Sequence, residues 1–120
     1  MMNIATLTLN PTLDVSFAVD KVFHTHKMRG RDERHAPGGG GINVARVFVR
    51  LGGIARCYYL SGGPTGVALD GLLDLHLRVR RKIPIEGETR VSTTVFETES
   101  GREYRFVTDG PEVSPEEWQQ

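Results

Sequence analysis

Nine consecutive residues, Pro37-Gly38-Gly39-Gly40-Gly41-Ile42-Asn43-Val44-Ala45, constrain this chain more than any other stretch. Four glycines run directly into an apolar segment. Glycine has no Cβ, so the backbone can take positive φ and approach a neighbour closely. A helix that begins there directs its free N–H groups into the loop. Two readings fit: a corner for a small polar or anionic ligand, or a flexible hinge ahead of a crossover helix. The predicted helix runs from Ile42 to Leu51. Its only polar residues are Asn43, Arg46 and Arg50, spaced i, i+3, i+7. They form one narrow stripe on an apolar cylinder, so the helix is expected to be mostly buried, with Asn43 in its first turn. Gly52-Gly53 is expected to supply a left-handed C-cap.

Apolar runs flank this helix. Ile4–Leu9 reads as a buried strand stopped at Asn10-Pro11, and Ala55–Leu60 as a second. Strand, helix and strand with short links make a βαβ unit and therefore a parallel sheet. Ser61–Gly66 reads as another glycine turn. Val67, Leu69, Leu72, Leu73 and Leu75 then mark a helix, with Asp70 and Asp74 on its solvated face, and Val79–Ile85 a short basic strand. Other segments alternate. Val15–Val19 and Arg90–Thr98 read as half-exposed strands, and Glu99–Arg102 as a turn into Glu103–Val107, with Tyr104 and Phe106 on one face. Phe23–His35 is weakly patterned, an irregular strand at best. These segments predict a small, antiparallel outlying sheet beside an α/β body. Ser114-Pro115-Glu116-Glu117 is a strong helix start, with Ser as N-cap, Pro next and Glu at the third position. Short helices are marginal, so the sequence is expected to be the front part of a longer protein.

Composition removes several function classes. Fifteen basic residues balance fifteen acidic ones, so no global field favours nucleic acid or an acidic membrane surface. The single cysteine, Cys57, lies in an apolar run, which fits a reducing compartment and no disulfide framework. No apolar stretch approaches the roughly twenty residues that span a bilayer. The N-terminus lacks a signal-peptide layout. These features read as a cytoplasmic protein. The four histidines have no metal-ligand spacing, so no metal site is expected. Two nucleotide motifs are missing as well. No glycine loop runs into Gly-Lys-Ser/Thr, and the pattern G-x-G-x-x-G fails because its last glycine falls on Asn43 or Val44.

Four side chains carry candidate chemistry. Asp14 follows the first strand, where ligands gather in open α/β sheets. It can accept hydrogen bonds from sugar hydroxyls or simply cap a turn. Asn43 both donates and accepts, which suits a vicinal diol, or is an ordinary first-turn asparagine. Lys27 and Arg90 suit a phosphate dianion, one as a point charge and one as a planar fork, or are surface cations.

Taken in order, these motifs resemble the ribokinase-like (PfkB) carbohydrate kinases. Thr6-Leu7-Thr8-Leu9-Asn10-Pro11-Thr12-Leu13-Asp14 is similar to the opening strand and substrate aspartate of the family's phosphosugar branch. Pro37–Ala45 is similar to its first glycine signature. Ser61–Gly66 resembles the next glycine turn, and Gly101–Val107 the strand after the lid hairpin. The resemblance runs through essentially all 120 residues. It implies a Rossmann-like parallel sheet flanked by helices, with a β-sheet lid built from segments of about 15–36 and 88–107. It implies transfer of the γ-phosphoryl of ATP to a sugar hydroxyl, with Mg²⁺. Asp14, the Gly38-Gly39 backbone and Asn43 would hold sugar hydroxyls, and Lys27 and Arg90 the phosphate already on the sugar. Gly40 stands where the branch's fructose-1-phosphate and tagatose-6-phosphate kinases tend to carry lysine, which favours fructose-6-phosphate as acceptor. The general base, the anion hole and the adenine pocket belong to a second part that this sequence does not contain. No catalytic residue is therefore assigned, and the chain alone is expected to be inactive. Alternatives are a kinase for one of the other two sugars, a non-catalytic sugar-phosphate-binding module, and a module that dimerises through the lid.

Overall fold

Short apolar runs punctuated by glycine and proline set the element order. The computed structural model describes residues 2–77 and 79–119. The elements are β1 (Asn3–Thr8), β2 (Thr12–Val19), β3 (Arg31–Gly38), α1 (Gly40–Arg50), β4 (Ile54–Ser61), α2 (Gly63–Leu73), β5 (Arg80–Pro84), β6 (Arg90–Glu97), β7 (Arg102–Val107) and α3 (Pro115–Trp118). Among the described residues no helix is long and apolar enough to cross a membrane.

The body is a parallel three-stranded sheet in the order β1-β4-β5. Its crossovers advance in one direction, so the right-handed rule sets α1 and α2 on the same face. Ile42 and Ala45 of α1, Ala55, Cys57 and Tyr59 of β4, and Leu69, Leu73 and the following Leu77 form one core there, each at most 3% exposed. Each fully buried Leu or Ile contributes roughly 1.5–3 kcal/mol. On the opposite face Leu7, Ile54 and Arg56 are exposed.

Three sequence expectations need correction here. α1 is not mostly buried: only Ile42 and Ala45 are, while Val44, Val47 and Leu51 are exposed. A helix lying on one side of a sheet buries a single stripe, and no described element covers the other. The glycines of Ser61–Gly66 do not form a loop ahead of α2. Gly62 is the N-cap and Gly63-Pro64 open the helix, where the fixed φ of proline suits the first turn. Asp70 is not on a solvated face. It accepts hydrogen bonds from Tyr59 Oη at 2.8 Å and Ser61 Oγ at 3.2 Å and pairs with Lys82 Nζ at 3.3 Å. Burial, reinforced by this carboxylate, pushes the Tyr59 hydroxyl up to about 12, so it remains a donor. The end of α1 matches expectation: with Gly52 left-handed, Gly52 N donates to Val49 O and Gly53 N to Phe48 O, both at 3.0 Å. The capping box of Ser114 and Glu117 also forms.

The second sheet has the order β3-β2-β6-β7. It is the separate outlying sheet expected beside the body. It is not wholly antiparallel, because β2 and β6 run parallel while β2–β3 and β6–β7 are antiparallel. The reason is topological. β2 and β6 each enter this sheet from the body at the same end, Thr12 beside Arg90, and must run outward in the same direction. The irregular segment resolves into a connection and then β3, which begins at Arg31 and continues through Pro37 to Gly38.

Register divides this outer sheet into two faces. One row of partners is Gly38, Thr12 and Arg90; the next is Ala36, Asp14, Ser92 and Val107; the third is Arg34, Ser16, Thr94 and Arg105. That face is polar. The opposite face carries Leu13, Val15, Phe17, Val91, Val95, Tyr104 and Phe106, half-buried apart from Phe106, which is 59% exposed.

Candidate functional site

The polar face meets the body where the glycine run turns into α1. β3 ends at Gly38, and Gly39 adopts φ +119° before the helix begins at Gly40. Only glycine takes that conformation without strain. The turn is packed tightly on the end of β1. A Cβ on Gly39 would fall 2.7 Å from Thr8 Cγ2 and 3.2 Å from Pro11 Cα. A side chain at Gly38 would collide with the Asp14 carboxylate and come within 2.7 Å of Thr12 Cγ2. Gly40 faces open space. The strand end that leads into α1 therefore lies beside Asp14. Asn43 is exposed in the opening stretch of α1, its own N–H bonded to Gly39 O at 2.9 Å.

Asp14 lies within β2, not in a turn. Burial raises its pKa above the ordinary aspartate range. The Thr12 hydroxyl and the charges of Arg90, Arg105 and Arg46 pull the other way, and burial prevails. Thr12 ties the row together, its hydroxyl meeting Ser92 Oγ at 3.1 Å and Arg90 O at 3.4 Å. Arg90 Nη2 donates to Asn10 O at 3.1 Å, and Arg46 Nη1 to Pro37 O at 3.2 Å. The Nε donors of both arginines are buried without a partner. A buried donor left unpaired costs about 1–3 kcal/mol, so both would be better served by an added acceptor.

The structure thus gathers Asp14, Gly38, Gly39, Asn43 and Arg90 around one junction. Lys27 lies apart, exposed in the connection that leaves the sheet between Val19 and Arg31, at the end remote from Asp14. Sequence reading missed Arg46 and Arg105. Arg46 was visible as the second member of the polar stripe on α1. Arg105 was visible by parity, since alternation puts it opposite Tyr104 and Phe106. Among the described residues no group of three or more His, Cys, Asp or Glu gathers in metal-binding geometry.

No family model matches the chain. Individual proteins do. It is 46% identical over 117 residues to the ATP-dependent 6-phosphofructokinase isozyme 2 of Mycobacterium tuberculosis, covering 98% of this chain and 34% of that protein. Its fold matches phosphofructokinase-2 from Escherichia coli in complex with fructose-6-phosphate, with TM-score 0.90, 36% identity and coverage of 99% of this chain and 39% of the other. The tetrameric inhibited form of the same enzyme matches with TM-score 0.88 at 36% identity, again over 99% of this chain and 39% of that one. Fold and sequence agree: over nearly its whole length the chain is similar to part of these phosphofructokinases. The chain spans a little over a third of the length of these 6-phosphofructokinases.

Proposed function

We propose that this chain is the acceptor-binding part of an ATP-dependent sugar-phosphate kinase whose acceptor is fructose-6-phosphate. The observation that carries the reading is the junction itself: a half-buried carboxylate, the start of α1 and two arginines with unpartnered buried Nε donors. Asp14 accepts from sugar hydroxyls, the Gly38-Gly39 backbone and the Asn43 carboxamide bind their neighbours, and Arg90 takes the phosphate already on the sugar. Arg105, on the same face, adds a second fork to that charge. Lys27 is the second phosphate cation of the sequence reading. Its remote place means that its own connection must bring it to the sugar.

In the whole protein the acceptor hydroxyl attacks the γ-phosphorus of ATP. The bond to the β–γ bridging oxygen breaks, ADP leaves and the hydroxyl proton passes to a base. ATP and Mg²⁺ supply the phosphoryl group and its charge neutralisation. Among the described residues no group of His, Cys, Asp or Glu is gathered to hold the metal. The role of this chain is to position the acceptor and exclude its alternatives. Residues of about 15–36 and 88–107 act as a lid over the sugar. The buried lone Cys57 accords with a cytoplasmic setting.

The test is a calorimetric panel. Fructose-6-phosphate is expected to bind better than fructose, fructose-1-phosphate and tagatose-6-phosphate, and Asn43→Ala to weaken all four. Equal binding of fructose and its 6-phosphate would remove the proposal. Incubation of the pure chain with ATP, Mg²⁺ and fructose-6-phosphate is expected to give no bisphosphate; turnover would contradict the division of labour. A second reading, compatible with the first, rests on the apolar face of the outer sheet. A second copy of the chain pairs with it through Leu13, Phe17, Val95 and Phe106, giving a homodimer.

A further inference from the structure

Residues 85–89 carry the chain from β5 in the body to Arg90 at the head of β6. They cross the N-terminus of α2 and are pinned there at Ile85, Glu88 and Thr89. Ile85 N donates to Ser61 O at 3.0 Å. Thr89 N donates to Gly62 O at 3.0 Å, and Gly62 N returns a bond to Thr89 Oγ1 at 3.0 Å. Thr65 N, a first-turn donor with no acceptor inside the helix, donates to Glu88 Oε1 at 2.8 Å. That bond and the positive end of the helix favour the charged carboxylate, and the Glu88 pKa lies below the ordinary glutamate range with Thr65 as its main cause. The fit is close enough to specify glycine: a Cβ on Gly62 would collide with the backbone oxygens of Gly87 and Ile85, and Gly63, with φ +69°, faces the Glu88 carboxylate. The second glycine turn of the sequence therefore makes room for one of the chain's own carboxylates. Thr89, 3% exposed, links this anchor to Arg90.

We propose that Glu88 is a positioning residue: its carboxylate, seated on the Thr65 N–H, fixes the crossing that aims the Arg90 guanidinium at the acceptor's phosphate. This inference rests on the sugar-phosphate reading above. Glu88 touches no ligand. It works through Thr89, whose two bonds to Gly62 hold the strand entrance, while Arg90 is held from the other side by Thr12 and by Asn10 O.

Two measurements on the chain decide it. The first needs no ligand: hydrogen exchange of the Arg90 Nε–H, followed by NMR. Glu88→Ala is expected to speed that exchange about tenfold, and Glu88→Gln, which keeps an acceptor oxygen, to restore most of the protection. The Glu88 side chain is exposed, so the fold survives, and unchanged exchange at the Cys57 amide serves as control. Unchanged Arg90 exchange in Glu88→Ala overturns the proposal. The second measurement is binding of fructose-6-phosphate against fructose. Glu88→Ala is expected to weaken the phosphorylated sugar about tenfold, to leave fructose unaffected, and to add nothing in an Arg90→Ala background. Equal further loss in that background would make Glu88 merely structural and overturn its role. If Arg90→Ala itself leaves fructose-6-phosphate binding unchanged, the sugar-phosphate reading falls, while the exchange measurement still decides whether Glu88 holds Arg90.

Discussion

β4 in the body and β6 in the outer sheet are both eight residues long and both interior to their sheets, hydrogen-bonded on two sides. In β4, Ala55, Cys57, Tyr59, Leu60 and Ser61 are buried. In β6 only Glu97 is, and its carboxylate serves the Val22 N–H at 2.5 Å. Both strands are paired on two sides, β4 in parallel with each neighbour and β6 parallel to β2 and antiparallel to β7, but their faces differ more than their ladders do. Helices α1 and α2 cover one face of the body sheet, whereas the apolar residues of the outer sheet stay half-buried, with α2 approaching only its β2 and β3 strands. Ladder bonds are largely offset by bonds to water in the unfolded chain, so packing carries most of the difference in stability. The body holds itself together. The outer sheet is built to meet something, with a polar face at Asp14 and Arg90 and an apolar face around Phe17 and Val95.

The sharpest way to break this comparison is to cut into both regions. Leu69→Ala, at a site with no exposure, is expected to cost about 2–5 kcal/mol in chemical denaturation. Val15→Ala on the outer sheet should cost well below that, because a half-exposed side chain gives up less transfer free energy. Equal losses would mean that the outer sheet has a core of its own. Next in size, Arg90→Ala is expected to weaken fructose-6-phosphate roughly tenfold to a hundredfold by calorimetry, the loss of a charge-assisted bond. The same change should leave the unfolding midpoint nearly unmoved, since Arg90 serves the outer sheet's polar face. A third experiment separates that sheet's two faces. Val95→Asp should shift sedimentation toward monomer, while its neighbour Phe96→Asp, on the polar face, should not. Identical behaviour of the two would erase the assignment of the apolar face as a pairing surface.

Smaller effects depend on charge. Burial raises the pKa of Asp14, so as pH rises past the ordinary aspartate value the native state must ionise a group that it prefers to keep neutral. The ionised form therefore subtracts from stability at neutral pH. Asp14→Asn is expected to raise the thermal midpoint slightly while weakening sugar binding, and a lowered midpoint would contradict the burial argument. Glu97 has the opposite sign. Ser100 and the Val22 N–H, with smaller help from Arg102 and Lys21, hold its carboxyl below the ordinary glutamate range. Its contribution is present above the unfolded value and is lost as pH falls through the lower folded one. Amide exchange at Val22 is expected to quicken in acid before that at Cys57 does. Simultaneous loss would show the two regions unfolding as one.

Much of this was legible locally. The period of Ile42–Leu51, the left-handed glycine at Gly52, the Ser114 capping box and the alternation of Arg90–Thr98 are short-range signals, set by backbone sterics and by which side chains share a face. Arg46 and Arg105 escaped notice because their relation to Asp14 spans three elements. The burial of α1 was misjudged because an apolar residue shows that a surface is able to be covered, not that anything covers it.

The sequence by itself determined the kinds of element, the glycine corner at Gly38-Gly39 and a candidate polar set, Asp14, Asn43 and Arg90. Those depend on the residues within a few positions of each other. Only the tertiary structure decided that β2 and β6 run parallel, that Asp70 is locked to Tyr59 and Ser61, and that Glu88 fills the start of α2 while Lys27 stays remote. Direction, burial and distance between segments far apart in the chain follow from how the two sheets enter one another's space, and no local pattern of residues encodes that.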